Sequence, residues 1–186
     1  MSKKIAVLVG SLRKESLNLK MAKVLISLAP ESLKLEIVPI GDLPLFNQDL
    51  DTEGKVPAAW TKFRTEIKSC QGVLFVTPEY NRSVPGVLKN AIDVGSQPGG
   101  QSVWGGKPGA VISVSPGAIG GFGANHHLRQ SCVFLDVPML QQPEAYIGQA
   151  STLFNDKGEI TNEDKRKFLR HFMDSYAKWV ETIAKK

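Results

Sequence analysis

Histidine and cysteine are scarce in this chain: three of one and two of the other among 186 residues. Cys70 and Cys132 stand far apart, and neither belongs to a CxxC pair, which removes dithiol chemistry and thiolate metal sites. The plain reading is two buried, reduced thiols. His126 and His127 are neighbours, so on a helix they diverge by about 100° and cannot share a metal face. His171 stands alone, and no metal is expected. No run approaches the ~20 apolar residues of a membrane span. Lysines before an apolar run imitate a signal peptide at the N-terminus, but the run breaks at Gly10-Ser11 and no small-x-small cleavage site follows. A soluble, cytoplasmic protein is expected. There is no basic arm either. The 23 Lys and Arg exceed the 18 Asp and Glu, giving a net charge of +5, but they are spread along the chain. That excludes a nucleic-acid partner and suits anionic small molecules.

Three further motifs are missing. Without GxGxxG, and with Pro39-Ile40 where an acid would close the second strand, a dinucleotide fold lacks its pyrophosphate turn and ribose acceptor. Without GxxxxGK[ST] there is no nucleoside triphosphatase, and without GxSxG around Ser115 no hydrolase elbow.

What is present is alternation. Short β-rich runs occupy residues 3–9, 35–40, 72–76 and 109–114, with a weaker fifth at 138–147. Their unbroken apolar character predicts strands covered on both faces. Between them lie helical patterns. Leu17, Met21, Val24, Leu25 and Leu28 form one, stopped by Pro30, and Trp60, Phe63, Ile67 and Cys70 form another. Leu88, Ala91 and Ile92 mark a third, with Ser83 as a possible cap and Pro85 near its start, and a fourth covers about 124–136. The last carries Phe168, Phe172, Tyr176, Trp179 and Ile183 as one stripe, with Thr161 as its expected N-cap. Five strand–helix alternations predict an α/β, doubly wound five-stranded parallel sheet in a single domain, 1–186. Two long loops, 41–56 and 95–109, have the length of functional segments, and Asp49 and Asp51 read as solubilising loop carboxylates.

In such a sheet, ligands bind beyond the carboxyl ends of the strands. Three loops meet that edge. The first, GSLRKESLN (10–18), brings Ser11, Arg13, Ser16 and Asn18 to a helix N-terminus, where unsatisfied N–H groups and partial positive charge favour an anion. A single terminal phosphate, as on FMN, fits better than a pyrophosphate. The alternative is that Ser16 only caps the helix and Arg13 is solvated, and Glu15 opposes the site unless it points outward. The second loop, TPEYNRSVPGVLKNAID (77–93), offers Pro78 and Tyr80 as flat walls and the backbone of Glu79, Tyr80 and Asn81 as in-plane hydrogen-bonding groups, or else a plain turn. The third, SPGAIGGFGANHHLRQ (115–130), holds four glycines that permit close ligand approach.

With these motifs the chain resembles the NADPH-dependent FMN reductase family of flavodoxin-like proteins, most nearly its bacterial chromate/quinone reductase branch. The resemblance runs to about Glu144. It implies FMN phosphate binding at Ser11, Arg13, Ser16 and Asn18, flavin-ring contacts at Pro78, Glu79, Tyr80 and Asn81, and Ser115 and Gly117 on the far side. It also implies a homodimer or homotetramer with the flavin near a subunit boundary. The expected activity passes hydride from NAD(P)H through FMN to small-molecule acceptors: quinones, chromate, azo or nitro compounds, or free flavin. The flavin carries that chemistry, so no catalytic side chain is required, and Arg82 or Arg129 would attract an anionic co-substrate. Two other readings stay open, a flavodoxin-like electron carrier and a nucleotide-binding module without flavin. The basic excess speaks against the carrier, whose docking face is typically acidic.

Overall fold

Strands with no polar face must be covered on both sides, and that requirement shapes the molecule. In the computed structural model, which describes residues 2–184, five strands form one parallel sheet: β1 (Lys3–Val9), β2 (Leu33–Ile37), β3 (Gly72–Thr77), β4 (Gly109–Val114) and β5 (Ala145–Ile147). Their order is β2-β1-β3-β4-β5, the flavodoxin-like order. The period-2 pleat sorts the side chains. Ile5, Val7 and Val9 of β1, with Leu74, Val76 and Ile112, pack under α1 (Leu17–Leu28) and α5 (Glu163–Ala184). Ala6, Leu8, Val73, Phe75 and Val111 pack under α2 (Ala58–Ser69), α3 (Gly86–Ser96) and α4 (Phe122–Phe134).

The structure departs from the pattern at particular ends. β2 stops at Ile37 rather than 40, because Pro39 has no N–H to continue the ladder after Val38 N–H bonds Val7 O at 3.0 Å. β5 is three residues long, not ten. The preceding segment touches the sheet at the Gly109–Met139 bridge, then leaves it through Pro143. α4 runs 122–134 rather than 124–136. Asn162, not Thr161, opens α5: its Oδ1 accepts the Lys165 N–H at 2.9 Å. The buried face of α5 is Leu169, Phe172, Met173, Tyr176 and Val180, so the helix is turned from the expected stripe and leaves Phe168, Trp179 and Ile183 half-buried.

The two long loops part company. Segment 95–109 joins the end of α3 to the start of β4, at the opposite edge of the sheet from the ligand-binding end. Trp104 plugs it into the core, donating to Ile92 O at 2.9 Å. Segment 41–56 follows β2 on the ligand side and is held by three side chains. Asn90 accepts from Phe46 N–H at 2.8 Å and donates to the carbonyls of Leu43 and Pro44, both at 3.1 Å. Trp60 Nε1 donates to Pro44 O at 3.0 Å. Asp51 is not a solubilising carboxylate: its side chain is 4% exposed and receives both terminal nitrogens of Arg64, at 2.8 and 2.9 Å. Arg64 also donates through Nε to Val94 O at 2.8 Å and lies 5.5 Å from the Trp60 ring.

Removing one partner of a buried ion pair strands the other. Asp51→Ala is therefore expected to lower stability by about 3 kcal/mol, read from urea denaturation. Adding Arg64→Leu should recover part of that loss.

Candidate functional site

β1 and β3 lie side by side, but the chain leaves their carboxyl ends in different directions, and a crevice opens there. Gly10 lies at its base. Its N–H continues the ladder to Val76 O at 2.9 Å, and a Cβ on it would lie 3.1 Å from both the Pro78 ring and Thr77 Oγ1. A side chain at this position would push the first two ligand-side loops apart.

Around the crevice, Ser11, Arg13, Ser16, Leu17, Asn18, Pro78, Glu79, Tyr80, Val114, Ser115 and Pro116 line one cleft of about 220 Å³. The three loops singled out in the sequence therefore converge. Asn81 and Gly117 are not among the lining residues. Asn81 sits at the tip of a tight turn, with φ of 49°. Gly117 shapes the third loop: its N–H donates to Ser115 Oγ at 3.1 Å and its carbonyl accepts from Gln149 N–H at 3.2 Å. Leu17, Val114 and Pro116 were not read as site residues in the sequence, where Leu17 belonged to the apolar pattern of a helix; they are apolar neighbours of polar candidates, and only the fold brings them to the cleft.

Ser16 is the N-cap of α1, its Oγ accepting the Leu19 N–H at 3.1 Å. The capping role is thus real, and it does not exclude a second one. The N–H groups of Leu17 and Asn18, in the first turn, have no intrahelical acceptor, and both residues line the cleft. Arg13 is exposed and makes no ion pair with any described residue. Asn18 is buried, with Nδ2 donating to Val114 O at 3.3 Å, and its Oδ1 is buried with no partner. Such an orphan acceptor in a cleft wall asks for a donor from a ligand.

The carboxylates near the cleft are turned away from it. Glu15 is 74% exposed and lies 3.8 Å from Lys20. The Glu79 side chain is directed to α4, where Oε2 accepts the Ala124 N–H at 3.1 Å, while Oε1 meets Arg82 Nη1 at 3.1 Å. The cleft thus presents donors and positive charge, which fits a phosphate ester.

Several candidates have other tasks. Ser83 does not cap α3, whose cap position is Pro85; its Oγ lies 3.0 Å from His127 Nδ1. Arg129 is part-buried and held by neutral acceptors, donating to Asn125 Oδ1 at 3.0 Å and Leu140 O at 2.8 Å. His126 Nε2 pairs with Tyr146 OH at 2.9 Å, so the two neighbouring histidines do diverge. Burial, with Glu144 close by, pushes the Tyr146 phenol up to about 12. Burial likewise pushes the Cys132 thiol up to about 12 and raises that of Cys70, leaving both as packing groups. Among the described residues, no helix is long and apolar enough to cross a membrane.

Known proteins resemble this chain along most of its length. A family model described as NADPH-dependent FMN reductase matches residues 3–152. A quinone reductase of Pseudomonas putida is 64% identical over 177 residues, covering 95% of this chain and 94% of its own. A 2-hydroxy-1,4-benzoquinone reductase of a Burkholderia species is 52% identical over 180 residues, covering 97% of each. Among solved structures, the flavoenzyme NAD(P)H:(acceptor) oxidoreductase FerB of Paracoccus denitrificans superposes with a TM-score of 0.90 at 44% identity, covering 97% of this chain and 98% of that one.

The cap is separable from any ligand. Ser16→Ala is expected to lower the stability of the ligand-free protein by about 1 kcal/mol, and Ser16→Gly by only a few tenths, measured by urea denaturation.

Proposed function

The chain belongs to the NADPH-dependent FMN reductase family and is an NAD(P)H-dependent flavin oxidoreductase; we propose that its acceptors are small quinones and that the β1 loop holds the FMN phosphate. FMN, when bound, supplies the two-electron chemistry between NAD(P)H and the acceptor. The chain's part is to hold, orient and shield. Arg13, the Ser11 hydroxyl and the free N–H groups of Leu17 and Asn18 receive the phosphate. The Asn18 amide nitrogen is already committed to Val114 O, so its orphaned Oδ1 suits a ribityl hydroxyl better than a phosphate oxygen. Pro78 and the backbone of Glu79 and Tyr80 form the wall for the ring, with Ser115 opposite, its hydroxyl held by the Gly117 N–H. One observation carries this reading: a cleft at the β1/β3 switch with a free guanidinium, a helix N-terminus and an unsatisfied buried acceptor, from which both nearby carboxylates are turned away.

Quinone is favoured because the relatives at 64% and 52% identity are named for quinone reduction. An open ring also suits chromate, azo or nitro compounds and free flavin. Two free, buried thiols and a dependence on NAD(P)H support a cytoplasmic setting.

A homodimer or homotetramer is part of the same reading. The cleft, at about 220 Å³, is smaller than the ~300–1,000 Å³ that usually encloses a small-molecule ligand, so a single chain leaves the ring open. Helix α4 supplies a face for a second copy. Its only formal charge, Arg129, is turned inward, while Phe122, Val133 and Phe134 are exposed, the last at 90%. Loss of charge with retention of aromatics is the signature of an interface core.

Two measurements test the proposal. Arg13→Ala should weaken FMN binding roughly 10- to 100-fold, by loss of a charged hydrogen bond, in a fluorescence titration of the FMN-free protein, with its melting temperature unchanged. Equal affinity would place the phosphate elsewhere. Phe134→Glu with Val133→Glu should shift the sedimenting species to a lower order of assembly, and an unchanged mass would move the interface off α4.

A further inference from the structure

Helix α4 begins without a cap of its own. Its N-cap residue is Gly121, at φ 77°, which has no side chain to offer, and no acidic residue lies in the first turn. A helix start of this kind leaves N–H groups unsatisfied and a partial positive charge bare. The missing acceptor comes from 45 positions earlier. Glu79 Oε2 takes the Ala124 N–H at 3.1 Å, and the Glu79 side chain is only 10% exposed.

Glu79 also opens the turn that walls the cleft. Tyr80 and Ser83 pair across it through two backbone bonds, of 3.1 and 2.9 Å. The residues between them, Asn81 and Arg82, have φ of 49° and 62°. Two successive positive φ angles make a type I′ turn, which favours Asn-Gly. Here the second place is an arginine, in backbone that is costly for any residue with a Cβ. Something outside the turn must hold it. Arg82 Nη1 bonds the other Glu79 oxygen at 3.1 Å, and its guanidinium is otherwise 73% exposed. The Arg82 carbonyl lies so close to Gly123 that a Cβ there would come within 2.8 Å of it and 2.9 Å of Glu79 Oε2. One helical turn on, His127 Nδ1 holds Ser83 Oγ at 3.0 Å. The turn is seated along α4 at three successive points.

We propose that the Glu79 carboxylate is a positioning residue: it caps α4 and thereby fixes the Tyr80–Ser83 turn as the wall for the flavin ring. The proposal rests on the reading that FMN occupies the cleft. It assigns the side chain of Glu79 a task that its backbone does not share. The backbone faces the ligand; the carboxylate faces the helix. Gly123 completes the device, because the turn seats only where a side chain is absent.

The test uses the full chain without FMN first. Amide hydrogen exchange at Ala124 and Ser83 should quicken about tenfold in Glu79→Ala, the usual effect of losing a cap. FMN affinity should fall by a similar factor. Glu79→Gln keeps a carbonyl acceptor for the Ala124 N–H and should restore both quantities to within about threefold. Gly123→Ala leaves every charge in place and should reproduce the loss in affinity by unseating the turn. Unchanged Ala124 exchange in Glu79→Ala overturns the proposal. So does an equal loss of affinity in Glu79→Ala and Glu79→Gln, which would make the carboxylate a direct charge partner of the ligand. The cradle reading fails separately: it falls if Arg13→Ala binds FMN as the parent does, whatever the Ala124 amide shows.

Discussion

Everything at the ligand end follows from one topological fact: β1 lies between β2 and β3, and the chain leaves β1 toward one side of the sheet and β3 toward the other. A parallel sheet wound this way cannot close its surface at that point. The loops after β1 and β3 diverge and expose the first turn of α1. Gly10 sets how near they come, because its missing Cβ lets Pro78 and Thr77 pack against the backbone of the β1 exit. The cleft is therefore a consequence of the winding, and its polarity is a matter of which side chains the loops carry.

That polarity is maintained by diversion. A basic chain with 18 carboxylates could easily have put one in the crevice. Two stand in the loops that follow β1 and β3, Glu15 and Glu79. The first is turned out to solvent near Lys20, the second inward to a helix N-terminus and Arg82. An anion entering the cleft meets a free guanidinium and unpaired N–H groups, with no like charge to desolvate beside it. Among the described residues, Asn18 Oδ1 is the one buried side-chain acceptor without a partner, and it breaks the otherwise donor-rich lining.

How much of this was legible in the sequence depended on the range of the interaction. β1 and β4 were read to the residue, since unbroken apolar runs bounded by glycine carry their own limits. β2, read as 35–40, begins earlier, at Leu33, and β2 and β5 were both carried too far where proline stops a ladder without interrupting hydrophobicity. The cleft lining was legible where the motif was local, as at Ser11, Arg13, Ser16 and Asn18. Asp51 was misread as solvated because its partner Arg64 comes from another element. Asn90 looked like any polar residue on a helix, yet it holds the 43–46 loop with three hydrogen bonds. Nothing in the sequence near Arg129 showed that its guanidinium would be held by Asn125 and Leu140. Partners far apart in sequence leave no period or spacing to read.

Helix α4 shows why such long-range bonds matter to function. A helix that supplied its own cap and its own surface charges would be a neutral bystander to the loops around it. This one has neither. Its start is satisfied by a residue from the β3 loop, its middle is pinned to β4 and β5 through Asn125, and its outer face exposes Phe122, Val133 and Phe134 beside the polar His127 and Gln130. Whatever covers that face bears on a helix whose first turn is bonded to the wall of the cleft. The first turn of α4 and the turn at the cleft thus form one bonded unit, joined through Glu79 and seated against Gly123.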